Sequence, residues 1–159
     1  MRKNKTNKPK NGNLFKIAVE NTPDIANCYQ SGLQALSKYS KKIELEDTAL
    51  CFGSVEIDEC TKAKYPNDPR WDYALCYNSE VFFVEVHSAN TREVNAVLNK
   101  LQWLKDWLNN EAPEINQLKA KNQPYIWIQS NDFHIPKTSP QYRLAVQKGI
   151  KPMAKLVLK

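Results

Sequence analysis

One short segment limits the possible folds of this chain more than any other, because it contains two apolar runs joined by two turn residues. The runs "WDYALCY" and "EVFFVEVH" are rich in the aromatic and β-branched residues that favour strands, and Asn78 and Ser79 lie between them. Two polar residues between two such runs are typical of a tight hairpin turn. Residues 71–87 therefore predict a β-hairpin.

The register of this hairpin places two carboxyl groups side by side. With a two-residue turn, Tyr77 faces Glu80, and the same pairing puts Asp72 directly opposite Glu85. Directly opposed side chains have Cβ atoms about 4.5–5.5 Å apart, and like charges at that distance destabilise a sheet. A folded chain tolerates the pair when one carboxyl is protonated, when a basic side chain bridges the two, or when they hold a cation.

A bound cation is the interpretation with chemical consequences. Carboxylate oxygens on adjacent strands, with room for a phosphate and water molecules, are the usual ligands of Mg²⁺. Such an ion polarises a phosphodiester and generates a hydroxide nucleophile. We expect Mg²⁺ or Mn²⁺ at Asp72 and Glu85, with either Asp58 or Glu56 of the preceding run "GSVEIDE" as a third carboxylate.

A purely structural interpretation competes with the metal site. Because strand side chains alternate, Glu85 and His87 share one side of the second strand, and the other side is expected to face the core. The side of Glu85 would then be an exposed sheet face on which Arg70 neutralises Asp72. The three residues expected to face the core are Phe82, Val84 and Val86.

The remaining elements predict an α/β fold. Thr22 and Pro23 are helix-start signals, followed by apolar residues at helical spacing, and residues 43–64 predict one or two strands. Residues 90–112 carry the clearest amphipathic helix. The predicted order is a helix, two or three antiparallel strands, the long helix, a strand, a short helix and a last strand. This order predicts a three-layer sandwich with a mixed central sheet.

The positive charge is concentrated at one end of the chain. Of the net charge of +6, residues 1–13 carry +5 and contain no acidic residue. We expect residues 1–13 to be a disordered basic tail and residues 14–159 to form a single α/β domain. The tail either adds salt-sensitive attraction to nucleic-acid phosphates or only keeps the chain in solution.

The cysteines and the hydropathy exclude several classes of protein. No CxxC pair occurs, so a structural zinc site is not expected, and we expect reduced thiols and a cytoplasmic location. No run approaches the roughly 18 apolar residues of a membrane span, so no membrane partner is expected. The four cysteines are Cys28, Cys51, Cys60 and Cys76.

The hairpin acids also carry a resemblance to a known family. Asp72, twelve intervening residues and then Glu85-Val86-His87 resemble the signature of the PD-(D/E)xK, or restriction-endonuclease-like, nuclease superfamily. The order of elements over residues 24–158 resembles its core. The resemblance implies a restriction-endonuclease-like core and a divalent-metal-dependent nuclease that hydrolyses phosphodiester bonds in nucleic acid, with DNA as the expected partner. It also implies that Asp72 and Glu85 bind the cation.

The sequence departs from this signature at the residue that handles the attacking water. Position 87 is His where the superfamily has Lys. Either His87 acts as base or ligand, or Lys100 on the long helix supplies the ammonium, as relocated lysines do in some members of the superfamily. Two functions therefore stay open: an active endonuclease or exonuclease, and an inactive nuclease-fold protein that acts as a binding, accessory or immunity-type partner.

Two tryptophans on the long helix have three possible uses. Trp103 and Trp107 lie one turn apart, beside the leucine-rich face. They could stack bases or form a homodimer interface, since aromatic residues serve both purposes. The simpler interpretation, which we favour, is that they widen the buried face of the helix.

Overall fold

The computed structural model describes residues 11–159. The predicted tail over residues 1–10 lies outside this range, and residues 11–13 belong to the first helix. No helix within residues 11–159 is both long enough and apolar enough to cross a membrane. In the described part of the chain the α-helices are α1 (Asn11–Glu20), α2 (Ile57–Thr61), α3 (Val94–Asn110), α4 (Pro113–Gln117) and α5 (Pro140–Gln147). The strands there are β1 (Ile43–Leu45), β2 (Cys51–Glu56), β3 (Tyr73–Tyr77), β4 (Glu80–His87), β5 (Tyr125–Gln129) and β6 (Leu156–Leu158).

The main sheet has four strands in the order β2-β3-β4-β5. The first three strands are antiparallel, and β5 pairs with β4 in parallel, so the sheet is mixed as predicted. The parallel pair needs a crossover between β4 and β5, and α3 and α4 lie in that crossover. The carboxyl ends of β4 and β5 therefore lie at the same edge of the sheet.

The predicted hairpin and its register are confirmed. Asn78 and Ser79 have φ values of 47° and 73°, the left-handed backbone of a tight two-residue hairpin turn. Tyr77 pairs with Glu80, and the pairing continues in step to Tyr73 opposite Val84. The next position of this register joins Asp72 to Glu85.

Both faces of the sheet are buried, which gives the protein its layers. One face packs Phe83 and Trp127 with Phe15 of α1 and Leu104 of α3. The other face packs against a small parallel sheet, β1 with β6, and against the segment that contains Leu36. The side of β4 that carries Val81, Phe83 and Glu85 is fully buried, whereas Phe82 and Val86 on the expected core side are only partly buried.

The first predicted helix does not form. Residues 22–42 contain short 3-10 segments, Pro23–Ile25 and Gln34–Lys42, instead of one α-helix. Gly32 between them has a φ of 53°, and Gln30 pairs with Ser54 of β2 through two backbone hydrogen bonds of 2.9 and 2.8 Å. Pairing with the sheet has overridden the local helical pattern.

The run "GSVEIDE" is also not a continuous strand. β2 ends at Glu56, and Asp58 and Glu59 lie in the first turn of α2, where acidic side chains stabilise the positive end of the helix. Asp58 therefore lies on a helix, away from the strand face on which it was expected to join Glu56.

A disulfide joins the segment after α1 to α2. Cys28 and Cys60 are bonded, with a Cα–Cα distance of 6.4 Å, whereas Cys51 and Cys76 are free. The expectation that all four thiols are reduced is therefore wrong. The cytoplasmic location that we expected from them stays a prediction.

We expect the purified protein, unfolded without reductant, to expose two thiols per chain to a thiol reagent. The Cys28→Ser/Cys60→Ser variant should be less stable by about 3–4 kcal/mol, because the bond closes a loop across 32 positions of sequence and restricts the unfolded chain. Urea denaturation measures this difference, with Cys51→Ser as the matched control. Four reactive thiols in the unreduced protein would contradict the disulfide.

Candidate active site

The two hairpin acids lie side by side at the end of the β3–β4 ladder. The backbone N–H of Asp72 donates to Oε2 of Glu85 at 3.0 Å, and the N–H of Val86 donates to Oδ2 of Asp72 at 3.0 Å. Each carboxylate thus accepts a hydrogen bond from the strand that carries the other. The two-residue turn places them together, as the register predicted.

Lys100 bridges the two carboxylates from the helix side of the sheet. Its Nζ donates to Oδ1 of Asp72 at 3.3 Å and to Oε1 of Glu85. Lys100 lies one helical turn from Leu104, which packs in the core with Phe83 and Trp127, so α3 places Lys100 where its ammonium reaches the acids. The bridging basic side chain that the sequence allowed for the pair is therefore present.

The cluster lies at the boundary between the core and the solvent. The side chain of Glu85 is fully buried, whereas the side chains of Asp72 and Lys100 each keep 19% exposure. The structural interpretation of an exposed sheet face is therefore wrong for Glu85. An external ligand could reach Asp72 and Lys100 without rearrangement of the fold.

His87 extends the cluster to a residue that the sequence analysis missed. Its Nδ1 lies 3.6 Å from Oε1 of Glu85, and its Nε2 lies 2.8 Å from Oε2 of Glu93. Glu93 belongs to the 3-10 turn that leads into α3. Its position six residues after His87, just before the long helix, is the signal that could have identified it.

Burial and neighbouring charges shift three pKa values in the cluster. Burial, and then the charge of Glu85, raise the pKa of Asp72 to about 7, although Lys100 and the Val86 N–H oppose the shift. Burial lowers the pKa of Lys100, but Glu85 and Asp72 outweigh it and the net shift is upward. Hydrogen bonding to Glu85, and then to Glu93, raises the pKa of His87 against the effect of burial. Lys100 is therefore a cation at neutral pH, while Asp72 titrates there.

The other acidic candidates do not join this cluster. Asp58 is ion-paired with Nε of Arg70 at 2.8 Å, and Arg70 also donates to the carbonyl oxygen of Tyr65 at 2.6 Å. Arg70 therefore neutralises Asp58, and the interpretation that it neutralises Asp72 is wrong. Asp58 meets Asp72 only through the backbone, where its N–H donates to the Asp72 carbonyl oxygen at 3.3 Å, and within residues 11–159 no side-chain hydrogen bond or ion pair joins Asp58 or Glu56 to the hairpin acids.

The donor set can be compared with the needs of a divalent cation. In the described part of the chain, no group of three or more His, Cys, Asp or Glu side chains is arranged to hold a metal ion. Mg²⁺ is commonly bound through one or two carboxylates, with water and substrate phosphate as the other ligands. Asp72 and Glu85 fit that requirement, but a cation would compete with Lys100 for Oδ1 and Oε1. Asp58, expected as a metal ligand, is not part of the set.

The tryptophans of α3 mainly extend the core. Trp107 is 3% exposed, stacks on Trp103 with ring centroids 5.8 Å apart, and donates from Nε1 to Asp24 at 3.0 Å. Trp103 is partly buried and meets Tyr65 edge-on at 5.7 Å. The expectation that these residues widen the buried face is confirmed for Trp107.

Comparison with protein-family models, curated proteins and solved structures finds no match to this chain. Two carboxylates, an ammonium and an imidazole converge at the boundary between the core and the solvent, and the pKa values of Asp72, Lys100 and His87 are shifted. Clusters of groups with shifted pKa values are common in catalytic sites. Such a group can hold a cation, stabilise developing negative charge and transfer protons.

Proposed function

We propose that the protein is a divalent-metal-dependent nuclease with a restriction-endonuclease-like core, which hydrolyses phosphodiester bonds in DNA. The observation that supports this most strongly is the convergence of Lys100 on both hairpin acids at a partly exposed position. An acid pair with an adjacent ammonium resembles the site of the PD-(D/E)xK superfamily. In this proposal Lys100 replaces the lysine that is missing at position 87.

The proposed roles follow from the charges in the cluster. Asp72 and Glu85 would hold Mg²⁺ or Mn²⁺, which supplies Lewis-acid polarisation of the phosphodiester and a hydroxide nucleophile. Lys100 stays protonated, so it acts as a fixed positive charge beside the developing negative charge rather than as a base. His87, held by Glu93, is the group best placed to accept or donate a proton.

Cleavage assays with site variants test this proposal. With Mg²⁺ or Mn²⁺, we expect the wild type to cleave plasmid or single-stranded DNA, and Lys100→Ala and Glu85→Gln to lose at least about 100-fold in initial rate. Asp106→Asn, an exposed charge change on the same helix, should keep the rate within about twofold. Circular dichroism under assay conditions confirms that each variant is folded. Absence of cleavage by the wild type, or full activity of Lys100→Ala, would contradict the proposal.

A second candidate is a binding protein that has lost cleavage. It is favoured by the hydrogen bonding of the acids, because each of the four carboxylate oxygens already has a protein donor. A metal titration separates the two functions. For a nuclease, cation at 100 times its Kd should stabilise the native state by about 2.7 kcal/mol and raise Tm by about 5–10 °C, and Asp72→Asn should abolish that shift.

A further inference from the structure

The charge of the folded part is divided unequally along the chain. Residues 14–114 contain 10 basic and 16 acidic residues, whereas residues 115–159 contain eight basic residues and one acidic residue. The last 45 residues therefore carry a net charge of +7 within a body that is nearly neutral. Basic side chains that cluster on one surface are the usual electrostatic sign of a site that binds an anion, so the positions of these residues in the fold decide whether they form one.

Part of this basic segment lies next to the candidate active site. Gln129, the last residue of β5, is in register with His87 on β4, and the N–H of Ser130 donates to the carbonyl oxygen of His87 at 3.1 Å. Aligned residues of parallel strands present their side chains on the same face. Gln129 therefore lies on the face of the sheet that carries Glu85 and His87.

Gln129 also lines an open pocket of about 270 Å³. Lys137 and Lys151 are exposed at this pocket, and no ion pair within residues 11–159 involves either of them. Nζ of Lys42 approaches the same strand end, 3.2 Å from the carbonyl oxygen of Gln129. We call the pocket that Gln129, Lys137 and Lys151 line the lysine pocket, and Lys42 lies beside it; the remaining lining residues are Phe133, Tyr142, Pro152, Met153 and Ala154.

Aromatic rings accompany the unpaired ammonium groups. Phe133 and Tyr142 are both partly buried and meet edge-on, with ring centroids 6.1 Å apart and planes at 87°. Lysine side chains attract backbone phosphates, and partly exposed aromatic rings stack on unpaired bases. The acidic residue of this segment, Asp132, is exposed in the loop after β5 and carries one negative charge, against the two ammonium groups of the pocket.

We propose that the lysine pocket binds the phosphate backbone of a single-stranded stretch of nucleic acid that extends from the candidate active site. Lys137 and Lys151 would contact phosphates, and the Phe133–Tyr142 pair would contact a base. The proposal rests on the proposed function for its substrate class. It adds the path of the strand, which would leave the candidate active site across Gln129, toward α5.

Binding in the absence of metal tests this location separately from cleavage. Fluorescence anisotropy with a labelled 20-nucleotide single-stranded DNA in EDTA gives Kd and its dependence on salt. We expect Lys137→Gln/Lys151→Gln to weaken binding at least tenfold and to reduce the log–log salt slope by about 1.4, since each phosphate contact on a single strand contributes about 0.7.

The matched control removes the same charge at the other end of the sheet. Lys119 bridges to Val81 near the start of β4, and the backbone N–H of Lys121 donates to Glu80, so both lie away from Gln129. Lys119→Gln/Lys121→Gln should change Kd less than threefold. All four lysines are exposed, and thermal melting should show that both variants fold like the wild type.

Three results would overturn the lysine pocket: no DNA binding by the wild type, no weakening in the pocket variant, or equal weakening in both variants. The first two show that the pocket does not bind the strand, and the third shows that only net charge matters. If the wild type does not cleave DNA but only Lys137→Gln/Lys151→Gln weakens binding, the result counts against the nuclease proposal alone. If the wild type cleaves DNA and Lys137→Gln/Lys151→Gln binds DNA as tightly as the wild type, the result counts against the lysine pocket alone.

Discussion

Lys100→Met will lower the free energy of unfolding by about 3–4 kcal/mol at pH 8, because removal of one partner from a buried ion pair leaves uncompensated charge. Met keeps most of the side-chain volume, so the loss reports the ammonium rather than a cavity. Glu85 is fully buried, and without Lys100 its carboxylate would face Asp72 with no cation between them. Urea denaturation at pH 8 measures the difference.

Lys105→Met on the same helix is the control for this substitution. Lys105 lies over the ring of Tyr125, with Nζ 5.2 Å from the centroid, so its removal should cost no more than about 1 kcal/mol. The decrease in the free energy of unfolding caused by Lys100→Met should also be smaller at pH 5, because a protonated Asp72 no longer repels Glu85. A loss at Lys100 no larger than that at Lys105 would show that the bridge adds little to stability.

Asp72→Asn is expected to act in the opposite direction and to raise the free energy of unfolding by about 2–3 kcal/mol at pH 8. The pKa of Asp72 rises from 3.8 to about 7 on folding, so the folded state binds the extra proton between those values. The stability that this group contributes is fully present below pH 4 and is lost as the pH rises through 7. Asn removes the carboxylate whose ionisation causes this loss of stability, and its amide oxygen can still accept a hydrogen bond from the Val86 N–H.

The measurement is urea denaturation of wild type and Asp72→Asn at pH 5 and pH 8. The gain from Asp72→Asn should be smaller at pH 5 than at pH 8, because the wild type loses stability progressively between about pH 4 and pH 7. Asp58→Asn is the control, because its ion pair with Arg70 stabilises the fold and its loss should give no gain at either pH. If Asp72→Asn is less stable than the wild type at pH 8, the attraction of Lys100 and the Val86 N–H for the Asp72 carboxylate outweighs the cost of its burial, which would contradict the expected gain.

If Asp72→Asn gains stability and loses cleavage, the Asp72 carboxylate serves the chemistry at a cost to the stability of the fold. Groups that serve chemistry are commonly held at a cost to stability, whereas groups that only support the fold are not. The same variant in the cleavage assay therefore distinguishes a functional carboxylate from a structural one. Lys100→Met should lose both stability and cleavage, since its ammonium serves both.

The sequence by itself determined the features that depend on neighbouring residues. The Asn78–Ser79 turn selects the register of the hairpin locally, so the meeting of Asp72 and Glu85 could be predicted before any tertiary contact was known. The apolar spacing over residues 94–108 likewise predicted α3, because helical periodicity is a local pattern. The mixed α/β class followed from the order of these elements.

Only the tertiary structure decided what surrounds the acids. Whether Lys100 or Arg70 reaches them depends on how α3 is rotated over the sheet and how the loop before β3 runs, and neither is encoded by residue spacing. The same holds for the Cys28–Cys60 bond and for residues 22–42, where pairing of Gln30 with Ser54 replaced a helix. Long-range packing contributes more free energy than local propensity where the two disagree, so these positions could be known only from the folded chain.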